Sequence, residues 1–123
     1  MIEILTDVPA NVAGFRAVGE VTKDDFKTVV LPIVDEVVFR TGELNYLMII
    51  DTELKNWTAG AWVQDAILGI QELTKWNRAA IVTDSEALNT FTDIFSVLVP
   101  GEFKGFLVEE LPQAVRWVST GEE

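Results

Sequence analysis

Apolar positions recur along this chain with two periods, and the switches between them mark its elements. Ile2-Glu3-Ile4-Leu5 is a short apolar segment, closed by the turn-rich Thr6-Asp7-Val8-Pro9-Ala10-Asn11. From Val12 to Val21 the period is two, with Ala13, Phe15 and Ala17 on one face and Arg16 and Glu20 on the other. Only a turn separates the two runs, which predicts an antiparallel pair. Thr22 then reads as an N-cap before the acidic Asp24-Asp25, which complements a helix dipole. Phe26, Val29, Val30, Ile33, Val34, Val37 and Val38 follow at helical spacing. Valine is a mediocre helix former, so packing must hold this helix. Pro32 should kink it, and Thr41-Gly42 should end it.

Leu44 to Asp51 contains Tyr46-Leu47-Met48-Ile49-Ile50, apolar without alternation, the pattern of a central strand buried on both faces. A loop around Trp57 leads to a second helix starting near Thr58, with Ala59, Val63, Ala66, Ile67 and Ile70 inward, and Lys75-Trp76-Asn77 ending it. Residues 78–82 form another central strand. Thr83 and Glu86 fit a capping box for a third helix, which carries Leu88, Phe91, Ile94, Phe95 and Leu98 and stops at Pro100-Gly101. Residues 103–108 make a last strand, with Lys104 marking an edge, and Pro112 opens a fourth helix running through Val118. The order β-β-α-β-α-β-α-β-α predicts an α/β fold with a mostly parallel five-stranded sheet, an antiparallel strand at its N-terminal end and right-handed crossovers. Crossovers that all advance in one direction would put the helices on one face and leave the other less covered. The length, 123 residues, fits a single domain over 1–123.

Composition narrows the chemistry. Twenty acids against nine bases give a net charge of −11, and no basic cluster interrupts the sequence. Nucleic-acid binding is therefore not expected, because phosphate affinity comes from Lys and Arg. Docking on an anionic membrane by charge alone is not expected either. Cysteine and histidine are both absent, which removes thiolate and imidazole metal ligands, cysteine nucleophiles and the commonest general base. No metal, cofactor or catalytic residue is expected. The first residues carry Glu3 and Asp7 rather than a basic start and an apolar run, and no apolar stretch is long enough to span a bilayer, so the expected location is cytoplasmic.

Several short segments, in order and at consistent spacing, carry a family resemblance. They are Gly19-Glu20-Val21-Thr22 with Asp25-Phe26, Leu31-Pro32, Ala61-Trp62 with Asp65, and the run from Trp76 to Asp84. Gly101-Glu102-Phe103 with Phe106, and Ala114 with Trp117, complete the set. From Val12 to Val118 the chain resembles the SpoIIAA-like family of small bacterial STAS-type domains. The resemblance implies a β-α superhelix with four helices, a protein not known to be an enzyme, and kinship in shape with CRAL-TRIO lipid-transfer domains. STAS antagonists of sigma-factor regulation carry a phosphorylatable serine in an Asp-Ser-Ser-Gly-type turn that opens the second helix. The matching stretch here is Asn56-Trp57-Thr58-Ala59-Gly60, without the aspartate and with threonine in place of serine. Thr58 is thus either a plain N-cap or a phosphorylation or anion site at a helix N-terminus.

Two sets of residues merit attention as sites. Asp51 and Asp84 fall at the carboxyl ends of central strands, the edge where open α/β sheets bind ligands, with Ser85 beside them. They read as polar-site candidates or as ordinary strand-end and turn residues. Trp57, Trp62, Phe91, Phe95, Val97 and Leu98 supply more apolar surface on the second and third helices than one buried stripe requires. They read either as core or as an apolar surface for a partner or ligand. The expectation is a non-catalytic regulatory or interaction module that binds protein, including a second copy as a homodimer. The alternative is a carrier or sensor of an apolar small molecule or lipid, with hydrophobic, peripheral membrane contact.

Overall fold

The alternation along residues 12–18 sorts side chains onto two faces of a sheet, and each face carries its own core. The computed structural model describes residues 1–51, 75–84 and 101–122. Five strands lie in chain order: β1 (Ile2–Ile4), β2 (Val12–Val18), β3 (Leu44–Asp51), β4 (Trp76–Thr83) and β5 (Glu102–Leu107). β1 pairs antiparallel with β2, and β2 to β5 run parallel. This is the predicted α/β architecture, with every parallel step made to the next strand in the same direction. β2 is shorter than its pattern suggested because Gly19, at φ 63°, turns the chain out of the sheet.

The first helical segment begins as its sequence predicts. Thr22 Oγ1 accepts from the Asp25 N–H at 3.1 Å, and Asp25 Oδ2 accepts from the Thr22 N–H at 3.0 Å. One turn, α1 (Lys23–Asp25), runs into a π-helical turn over Phe26–Val30 and then into α2 (Leu31–Thr41). Pro32 lies two residues beyond the end of the wide turn. A proline ring collides with the carbonyl four residues earlier in a regular helix, and a π turn relieves that crowding. Gly42, at φ 83°, closes α2 by donating its N–H to the Val38 carbonyl at 2.8 Å.

One core lies between α2 and the sheet. Phe15, Tyr46, Met48 and Ile81 meet Phe26, Val30 and Val34 there, all essentially inaccessible to water. Tyr46 packs at 5.6 Å between ring centroids on both Phe15 and Trp76. A second core lies on the opposite face, where Leu47, Ala80, Val82 and Phe106 meet Ala114 and Val118 of α3 (Leu111–Thr120). The expectation that all helices share one face therefore fails for α3. It follows β5, the edge strand, and folds back over the other side.

Two further expectations are corrected. Trp76 and Asn77 do not end a helix but open β4, where Trp76 is buried in the first core. Thr83 is not the residue after the strand but the last residue of β4, buried, and its hydroxyl makes no hydrogen bond; the helix it was expected to cap lies outside the described residues. The second and third helices expected from the sequence fall in residues 52–74 and 85–100, outside the described residues. No helix among the described residues is long and apolar enough to cross a membrane.

Candidate functional site

On the face covered by α3, the strand register places Gly14, Leu47 and Ala80 in one cross-strand row and Arg16, Ile49 and Val82 in the next. Leu47 thus stands between two small neighbours. α3 lies over the β4 side of these rows, and the β1–β2 connection folds over β2. Gly14 permits that close approach. A Cβ there would stand 3.1 Å from Val8 Cγ1 and 3.3 Å from Leu5 Cβ, and the Leu5 N–H donates to the Gly14 carbonyl at 2.9 Å. A groove of about 420 Å3 remains between the two walls. Leu47 and Ile49 form its floor, Leu5 and Val8 one wall, Leu111 and Val115 the other. Val108, half exposed, stands at the opening.

The groove's polar groups sit at the carboxyl end of β3. Asp51 Oδ2 accepts a charge-assisted hydrogen bond from Arg16 Nη2 across the β2–β3 pair. That hydrogen bond, the Asp51 charge and the nearby Glu3 carboxylate raise the Arg16 pKa further above its ordinary value, although burial opposes them slightly. Asp7, exposed on the β1–β2 connection, also lines the groove and makes no ion pair among the described residues. The site is an apolar trough with charge confined to one end, the general form of a small-molecule pocket.

A ladder of asparagines fixes the far end of this face. Asn77 Nδ2 donates to Asn45 Oδ1 at 2.9 Å, Asn45 Nδ2 to the Asn11 carbonyl at 3.1 Å, and Asn11 Nδ2 to the Ser119 carbonyl at 2.9 Å. The starts of β2, β3 and β4 are thereby tied to the last turn of α3. Arg78 lies against Gly121, at φ 84°, and forms an ion pair with Glu102 at 3.5 Å. Anchored at its C-terminal end, α3 presents Leu111 and Val115 to the groove.

The profile of the SpoIIAA-like family matches residues 12–119. The chain belongs to the SpoIIAA-like family. A solved structure of an uncharacterized DUF3478-family protein with a SpoIIAA-like fold, from Shewanella loihica PV-4, is 27% identical. The similarity covers 96% of this chain and 90% of that one, with a TM-score of 0.61. No curated protein matches the chain.

Within this SpoIIAA-like domain, the site residues expected from sequence separate into two groups. Trp57, Thr58, Trp62, Ser85, Phe91, Phe95, Val97 and Leu98 lie outside the described residues. Asp51 is at the groove, engaged by Arg16, whereas Asp84 is exposed beyond β4 and is not among the groove-lining residues. Among the described residues no three His, Cys, Asp or Glu side chains gather as a metal site. Sequence reasoning missed Leu5, Val8, Ile49, Leu111 and Val115 as parts of one site. Each belongs to a segment that reads as ordinary strand, turn or helix, and only the fold brings them together.

Proposed function

We propose that this SpoIIAA-like chain is a non-catalytic recognition module that takes an apolar small molecule into the groove between α3 and the β1–β2 connection. One observation carries the reading: a concave space of about 420 Å3, walled by aliphatic side chains, stands on a sheet face whose neighbouring rows are well packed. That volume lies in the range of small-molecule sites. The absence of histidine and cysteine from the chain favours binding over chemistry. A neutral naphthylamine dye that brightens in apolar surroundings tests it. The expected result is saturable enhancement with the wild type and its loss in Ile49→Trp and Val115→Trp, each of which fills the groove from a different side. Wild-type protein that leaves the dye dark, or folded filled variants that bind it as the wild type does, would overturn the reading.

A second reading, protein recognition through α2, is favoured by Phe39, which is 93% exposed on that helix. It accommodates the homodimer expected from the sequence. Sedimentation velocity should then show an assembly that Phe39→Ser disrupts without loss of thermal stability, and a monomer at every concentration counts against it.

A further inference from the structure

Resting on the groove reading above, we infer that the ligand is an amphipathic cation: a small hydrophobic amine whose apolar body lies over Ile49, between Val8 and Val115, and whose ammonium group meets Asp7 and Asp51. Charge at the groove's polar end selects this class. Arg16 is the cation lining the groove, and it is already engaged: Asp51 accepts its hydrogen bond and Glu3 faces it across the β1–β2 pair. Asp7 is left over, without an ion pair among the described residues. An anionic head would have to take Arg16 from two carboxylates while facing a third. An ammonium head gains from Asp7 and from the oxygens of Asp51 while leaving the Arg16 contact in place. The net charge of −11 adds a long-range field of the same sign. The apolar requirement is equally definite, because the rest of the lining is aliphatic and offers side chains of Leu, Ile and Val only. A hydrophilic cation would leave that surface wet, and a divalent metal would find no gathering of three ligands among the described residues.

Displacement of the neutral dye by decanol, decylammonium and decanoate, each below its micelle threshold, separates the two levels of the argument. All three have ten carbons, the tenth of decanoate being its carboxylate carbon, and they differ in head charge. Decanol tests the groove alone and should compete. Decylammonium should compete at about one-tenth the concentration that decanoate needs, a tenfold difference in affinity being about 1.4 kcal/mol. That preference should shrink in high salt, since the carboxylates are exposed. In the double variant Asp7→Asn with Asp51→Asn, Glu3 is the one carboxylate left opposite Arg16, and the order of the two charged probes should narrow or reverse. Both substitutions are isosteric and on exposed side chains, so the fold should persist, with a circular dichroism melt as the check. Should decanol compete while decanoate binds as well as decylammonium, the charge inference is wrong and the groove reading stands. The charge inference is equally wrong if the preference survives the double variant unchanged. Should none of the three displace the dye, both fall.

Discussion

Tyr46 shows how a single side chain can be both well packed and electrostatically unfavourable. Its ring is wedged between Phe15 and Trp76, yet its hydroxyl is buried without a hydrogen-bond partner. Burial pushes its pKa far above the ordinary phenol value. A group that ionises more readily unfolded than folded destabilises the native state once pH rises past its unfolded pKa, about 10. Tyr46 is the chain's one tyrosine, so tyrosinate absorbance reports on it alone. The absorbance should appear together with loss of helical circular dichroism in alkali, not before it. Tyr46→Phe removes the unpartnered hydroxyl and should raise stability by up to about 1–2 kcal/mol, read from urea midpoints. Asn45 is the opposite case. It is fully buried inside an apolar strand, but both its amide atoms are used in the ladder to Asn11 and Asn77. Asn45→Ala should cost about 1–3 kcal/mol, because the Asn77 amide and Asn11 carbonyl lose their partner. A polar residue in the run Leu44-Asn45-Tyr46-Leu47 signals from sequence that something buried must answer it. The sequence did not say what, because Asn11 and Asn77 reach it only through strand pairing.

Elements were legible where their signals are local. The Thr22 cap, the Gly42 stop, the inward valines of the first helix and the apolar run of β3 all appear where the sequence predicts them. Failures occur where a tertiary demand overrides a local signal. β4 continues through Thr83, one residue past the end its pattern predicts, because its backbone remains paired with β5. Trp76 looks like a helix end until the Tyr46 ring and the first core claim it. The capping box at α1 also makes stability depend on pH. Burial tends to raise the Asp25 pKa, but the Thr22 N–H, the Met1 amino group at 3.4 Å and the Thr22 side chain lower it by more. A carboxyl whose folded pKa is depressed stabilises the protein above its unfolded pKa, about 3.9 for Asp, and that contribution vanishes as pH falls through the folded value. Asp25→Asn should therefore be less stable than wild type at neutral pH, and the gap should close below about pH 4. Unfolding midpoints measured across that range check it. Gly101 is a stricter case, since a Cβ there would stand 2.8 Å from the Asn77 carbonyl oxygen and 2.9 Å from that of Trp76. Gly101→Ala should force β5 away from the start of β4 and lower the melting temperature.

At the scale of the molecule, the groove follows from an imbalance between two sheet faces. On the α2 face the strands present large side chains, Phe15, Tyr46 and Met48, which α2 and the π turn cover. On the other face the same strands present Gly14, Leu47, Ala80 and Arg16, which fill less space, and α3 is held toward β4 by the asparagine ladder at its end. The gap over β3 is where the two coverings fail to meet. No single segment encodes it, which is why the sequence did not point to it; the apolar surface expected around Trp62 and Phe91 is a different one and lies outside the described residues. Leu47 tests this picture most directly, being fully buried from bulk solvent yet part of the groove floor. Leu47→Ala should destabilise the unliganded protein by about 2–3 kcal/mol, the low end for a buried leucine, because the new space opens onto an existing groove rather than forming a sealed void. The same variant should then recover more melting temperature from saturating decylammonium than the wild type does, since the alkyl chain reaches the space that the leucine left. An equal ligand-induced shift in both proteins would mean that the amine binds away from β3.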